Sequence, residues 1–158
     1  MRAHSIFTAV IAASALAVSQ VAVAEPDAKL WNGTWHLDAA KSKFASPSKE
    51  ASETRTYHYS GGKLTMKSSS KDPTGKAMNF SYSAAFDGKF YPMTGNPNAD
   101  SISLTSVSAR EIKATSRMKG KTTVQSTAKI AEDGKHLTLR RTILRIKGEP
   151  TDVLEFHR

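Results

Sequence analysis

Residues Ala77 to Thr94 read AMNFSYSAAFDGKFYPMT. Met78, Phe80, Tyr82, Ala84 and Phe86 alternate with Asn79, Ser81, Ser83 and Ala85. That period of two puts one face of a β-strand on a core and the other in water. Asp87-Gly88 follows at once, and both residue types suit the positive-φ positions of a tight hairpin turn. The chain then returns through Lys89, Phe90 and Tyr91. Ala77–Phe86 against Lys89–Thr94 is therefore a hairpin, and the same pattern recurs along the chain.

Working outward, strands are expected at Trp31–Leu37, Glu53–Tyr59 and Lys63–Ser69, the last two joined at Gly61-Gly62. Further strands follow at Ser101–Val107, Arg110–Met118, Lys121–Ala131, His136–Ile146 and Asp152–His157. The links carry turn chemistry, as in Asp72-Pro73-Thr74-Gly75 and Gly95-Asn96-Pro97-Asn98. Short links impose antiparallel pairing. The expected fold is all-β, an antiparallel meander of about eight to ten strands closed or nearly closed into a barrel, since closure removes both sheet edges. Asp38–Phe44 is expected to form a single helical turn. Lys41–Ser52, polar and rich in Ser, is expected to be a mobile surface loop around an anchoring Phe44.

The first residues read as a targeting segment. Arg2 opens it, Ile6 to Val18 is mostly apolar, and Ala22-Val23-Ala24 fits a small-residue cleavage rule. The expected organisation is a signal peptide over 1–24 and one domain over 25–158, exported to the periplasm or secreted. The apolar run is too short for a comfortable membrane span, and no later stretch is longer. The chain has no Cys, so packing and sheet hydrogen bonds hold it without disulfides. Its net charge is +9, and loss of Arg2 would leave +8. Such a field favours anionic partners, including envelope components. The charges are nevertheless spread along the chain, as expected of strand exteriors kept soluble by Lys and Arg. Aromatic residues are not interleaved with them for base stacking, so nucleic acid is not expected as a partner. A monomer is expected.

Alternation assigns inner faces. Leu64, Met66 and Ser68 form one set, and Ile102, Leu104 and Ser106 another. Ile112, Ala114, Ser116 and Met118 share a face, as do Val124, Ser126, Ala128 and Ile130. Many of these side chains are small. A closed barrel so lined either is filled by Trp35, Phe80, Tyr82, Phe86, Met66 and Met118, or retains a cavity. A cavity lined by Met66, Phe80, Tyr82, Ala114, Ser126 and Ala128 would suit a small apolar or amphipathic ligand. In His136–Ile146, either face carries an Arg among apolar neighbours. Arg141 or Arg140 then points inward toward an acidic ligand, or else lies at a strand end over Trp35 or with its stem buried. A buried guanidinium needs a carboxylate or several carbonyls and hydroxyls.

Gly33-Thr34-Trp35 resembles the Gly-x-Trp opening of lipocalins and related calycin barrels. With the following His36-Leu37-Asp38-Ala39-Ala40-Lys41-Ser42-Lys43-Phe44 and with Phe86-Asp87-Gly88-Lys89-Phe90-Tyr91-Pro92-Met93-Thr94-Gly95-Asn96-Pro97, the chain is similar to small exported bacterial proteins of lipocalin-like type. The resemblance implies that Trp35 plugs the closed end of the barrel and that a late basic residue, Arg141, Arg158 or Arg140, packs over it. It assigns no reaction.

Catalytic patterns are missing. His36, His58, His136 and His157 show no metal-ligand spacing and have no Cys beside them. There is no nucleophile elbow, phosphate-binding loop or dinucleotide fingerprint. Asp and Glu fall mostly in turns or at strand ends. No enzyme, metal or cofactor is expected. The functional expectation is a non-catalytic binding protein for a small apolar or amphipathic, and optionally anionic, ligand. The alternative is a basic envelope-interaction protein with no internal ligand.

Overall fold

The computed structural model describes residues 24–158, so the targeting segment expected over 1–24 lies, but for Ala24, outside the described residues. A one-turn helix, α1 (Ala28–Trp31), precedes ten strands: β1 (Gly33–Lys43), β2 (Ser52–Ser60), β3 (Lys63–Lys71), β4 (Ala77–Ala85), β5 (Phe90–Thr94), β6 (Ser101–Ser108), β7 (Glu111–Met118), β8 (Lys121–Ile130), β9 (His136–Ile143) and β10 (Thr151–His157). Each strand pairs with the next, and β1 pairs with β10, so the meander closes into a barrel. All pairings are antiparallel, including the closing one, in which Leu37 lies opposite Phe156. No helix among the described residues is long and apolar enough to cross a membrane.

Local chemistry sets the register. Gly61 and Gly62 both have positive φ, 57° and 74°, as a two-residue turn of mirror-image type demands. That turn pairs Ser60 with Lys63 and carries the β2–β3 ladder unbroken to Ser52 opposite Lys71. The Asp87-Gly88 turn sits where the alternation placed it, because Tyr82 pairs with Met93. Its two strands splay apart near the turn, however, and the Gly88 amide donates to Leu104 of β6 instead.

Two local expectations are overturned. Asp38–Phe44 is not a helical turn: β1 runs through Lys43, with a register shift against β10 between Asp38 and Lys43. The helix-like signals are the hydrogen bonds of that irregularity. Lys41 N donates to the Asp38 carboxylate, and the Ser42 hydroxyl donates to the Asp38 carbonyl. The segment that follows is also no free surface loop. Ser46 and Glu50 are buried, and Asp152 of β10 accepts from Ala45 N, Ser46 N and the Ser46 hydroxyl, each at 2.8 Å.

The barrel is sealed at one end. Trp31, Trp35, Leu64, Leu137, Leu154 and Phe156 are almost wholly buried there. Trp31 Nε1 donates to Ala109 at 3.0 Å, which fixes α1 across the base. Arg158 lies 4.5 Å from the Trp35 ring and donates to the carbonyls of Leu30 and Asn32. Of the three arginines offered as partner to Trp35, Arg158 is the one that packs on it.

Gly95 is the least replaceable turn residue. Its φ is +80°, and a Cβ there would collide with the Asn79 carbonyl oxygen. Gly148 has a similar φ of +84° and open space around it. Gly95→Ala should therefore lower stability by roughly 3 kcal/mol or more, against about 1–2 kcal/mol for Gly148→Ala. Urea unfolding of the two variants checks the difference; equal losses would mean that the contact with Asn79 is not a constraint.

Candidate ligand cavity

Above the sealed base the barrel is hollow. Its cavity measures about 900 Å³, toward the top of the roughly 300–1,000 Å³ found for small-molecule sites. It opens at the end formed by the links β1–β2, β3–β4 and β5–β6, which supply Pro47, Pro73 and Pro97 to its rim. Lys49, Lys76 and Arg145 are at the same mouth.

The β2–β3–β4 wall is ordered in transverse rows by its register. Glu53, Ser70 and Met78 form the row nearest the mouth. Arg55, Ser68 and Phe80 come next, then Tyr57, Met66 and Tyr82. The facing wall is apolar or small. Ile112, Ala114 and Ser116 of β7 adjoin Ala128, Ser126 and Val124 of β8, pair by pair. Leu139 and Ile143 of β9 extend it.

All of the residues proposed from sequence as cavity lining, Met66, Phe80, Tyr82, Ala114, Ser126, Ala128 and Arg141, border this one cavity. Trp35 is not among its lining residues and is fully buried in the base. Of the side chains that might have filled the barrel, Met66, Phe80 and Tyr82 line the space without closing it.

Arg141 points inward, but carboxylates of the chain itself meet it. Its guanidinium donates to both oxygens of Glu50 at 2.8 and 2.9 Å, and Nε donates to Asp152 at 3.0 Å. Burial opposes its charge, but the hydrogen bonds and charges of Glu50 and Asp152 outweigh that and raise its pKa. Arg141 thus fastens the β1–β2 segment to the barrel wall beside the mouth. The Asp152 carboxylate, fully buried, is opposed by desolvation, yet the Ser46 hydrogen bonds and Arg141 hold its pKa below the usual range.

Sequence reasoning missed Arg55. It is 7 % exposed and lies 5.2 Å from the Phe156 ring centroid. Nε donates to Glu53 at 2.7 Å, and Glu53 also accepts from the Ser68 hydroxyl at 2.6 Å. A signal was available. The Gly61-Gly62 turn places Tyr57 opposite Met66, and hence Arg55 opposite Ser68, on the face already assigned inward.

No family model and no curated protein matches this chain. The reading of the site therefore rests on its geometry. Among the described residues, no group of three or more His, Cys, Asp or Glu side chains is arranged to hold a metal. His36 and His157 approach each other at 6.1 Å between rings, and His136 pairs with Asp133.

The Asp152 latch gives a pH signature. Its carboxyl stays ionised in the fold to lower pH than in the unfolded chain. The stability it contributes is therefore complete above the ordinary carboxylate range and is lost as pH falls through the depressed folded value. Asp152→Asn should flatten the acid limb of a stability–pH curve. Asp152→Ala should cost about 3–5 kcal/mol near neutrality, because it strands buried donors of Ser46 and Arg141. Unfolding measured from neutral to acidic pH checks both; an acid limb as steep in Asp152→Asn as in the parent would remove the latch from the account.

Proposed function

We propose that the protein is an exported, non-catalytic carrier that holds a small apolar or amphipathic molecule inside its barrel, in the manner of the lipocalin-like proteins its opening segments resemble. The observation that carries this reading is the cavity of about 900 Å³, sealed below by Trp31 and Trp35 and open above. Its β7–β8 wall is built from side chains too small to fill it. Apolar surface in a concave site gains by excluding water, at about 25 cal/mol per Å². A guest covering that wall supplies the burial that Ala114, Ser126 and Ala128 do not supply for themselves.

Other features agree with such a role. Ser116, Ser126 and Ser70 place a few hydroxyls among apolar residues, the usual mixture in small-molecule sites. Lys49, Lys76 and Arg145 at the mouth, with the basic net charge, favour approach of anionic or polarised guests. In this reading the protein works as a monomer, without cofactor or metal.

Two measurements test the proposal. Native mass spectrometry of the protein purified from its own host should show a retained molecule of small mass. In vitro, an apolar fluorescent probe should bind with one site per chain. Ala114→Phe and Ser126→Phe, which fill the wall, should each weaken that binding by about tenfold or more while leaving the barrel folded. Folded variants that bind the probe as well as the parent would overturn the carrier reading.

A further inference from the structure

The interior charges are not equivalent. Arg141 is engaged on both sides by Glu50 and Asp152. Arg55 has a single carboxylate partner, Glu53, which takes Nε. Arg55 lines the cavity, its terminal nitrogens have no carboxylate partner among the described residues, and the neighbouring Tyr57 phenol supports its charge. One row deeper stand Tyr57 and Tyr82, 3 % and 8 % exposed, both lining the same space. The Tyr57 phenol neighbours the Arg55 guanidinium, and neither hydroxyl is among the sealed-off polar atoms left without a partner. Buried polar groups are normally satisfied. Three adjacent donor-bearing side chains thus border one cavity, and their neighbour Glu53 meets Arg55 with Oε1 while its Oε2 is buried without a partner.

From this donor set, and resting on the carrier reading above, we infer that Arg55, Tyr57 and Tyr82 seat the anionic head group of an amphiphile, a carboxylate on an apolar body. The fork of terminal guanidinium N–H groups matches two carboxylate oxygens, and the phenols add O–H donors. The head group enters first and lies deep. Its apolar body then runs toward the mouth past Phe80 and Met78 on one side and Ala114, Val124 and Ile143 on the other.

Three observations support this. Burial, reinforced by Tyr57 and partly offset by Arg55, pushes the Tyr82 phenol well above its ordinary pKa, so it remains a donor at any physiological pH. Desolvation opposes the Arg55 charge, but Glu53 and the neighbouring Tyr57 outweigh it, so the guanidinium stays charged. A buried ion pair such as Arg55–Glu53 is also a poor source of stability, since apolar residues of similar volume commonly do as well. Glu53 compensates the Nε side of Arg55 and leaves its terminal nitrogens without a carboxylate.

The test compares three probes: a fluorescent long-chain fatty acid, its methyl ester and the matching amine. The parent protein should prefer the acid to the ester by about tenfold to a hundredfold. The charge-neutral pair Glu53→Gln with Arg55→Gln should erase that preference by weakening acid binding far more than ester binding. Tyr57→Phe and Tyr82→Phe, which keep the rings in place, should each weaken acid binding by roughly threefold to tenfold and serve if the double variant does not fold. Arg141→Gln combined with Glu50→Gln, which keeps the net charge of the mouth network, should retain a preference for the acid. Equal affinity for all three probes would overturn the head-group site and leave the carrier standing; no binding of any would overturn both. A preference that survives loss of Arg55 and disappears with the Arg141–Glu50 double variant would move the seat to the mouth and defeat the inference.

Discussion

A ten-strand barrel has a girth set by backbone geometry, and its side chains must meet that girth or leave space. Here β7 and β8 face inward with Ala114, Ser116, Ser126 and Ala128 at mid-height. These cannot reach the opposite wall. Everything else in the molecule accommodates that deficit. The base is crowded with Trp31, Trp35, Tyr57 and Phe156, so that closure and stability are concentrated at one end. The hollow is thereby confined to the other end. A large apolar cluster in the lower barrel can support an unfilled upper barrel because the strands run through both.

Arginine closes each end by different physics. At the base, Arg158 lies over the Trp35 ring and donates to carbonyls of the segment around α1, joining the last residue to the first turn. At the mouth, Arg141 and Asp152 on adjacent strands draw in Glu50 and Ser46 of the β1–β2 segment. The first contact rests on ring polarisation and stacking, and is little affected by pH. The second is a network of carboxylates and is sensitive to acid. Conditions that loosen the mouth therefore leave the base intact.

How much of this could be read beforehand depends on how each strand hides its polarity. In β4, Phe80 and Tyr82 alternate with Asn79 and Ser81, and the two faces separate cleanly. In β7 and β8 the inward residues were legible because Lys113, Gln125 and Lys129 mark the outer face. In β2 the same logic fails. Glu53 and Arg55 share a face with Tyr57, so hydropathy alone reads that face as half solvent, although all three are buried. Only the Gly61-Gly62 register could have placed them inside. Asp38–Phe44 failed for another reason. A bulge uses local hydrogen bonds over three and four residues, the same spacings as a helical turn. The partner of Arg141 was beyond any local pattern, since Glu50 lies 91 positions away and comes near only when the barrel closes.

The two interior arginines show why inward charge and ligand recognition must be separated. Arg55 is buried and Arg141 half-buried, and both face carboxylates, so position alone does not distinguish them. Stoichiometry does. Asp152 and Glu50 engage the Nε and terminal nitrogens of Arg141, which leaves little for a guest. Glu53 engages only Nε of Arg55, through the same Oε1 that accepts from Ser68, and these two bonds hold the carboxylate to one side of the guanidinium. A charge held in place on one side and open on the other, beside two phenols, is preorganised in a way a solvated arginine is not. Little rotamer freedom remains to be lost when an acceptor arrives. Selectivity at such a site comes from leaving donors unmet by the wrong guest, which is a stronger discriminator than any apolar fit along the wall.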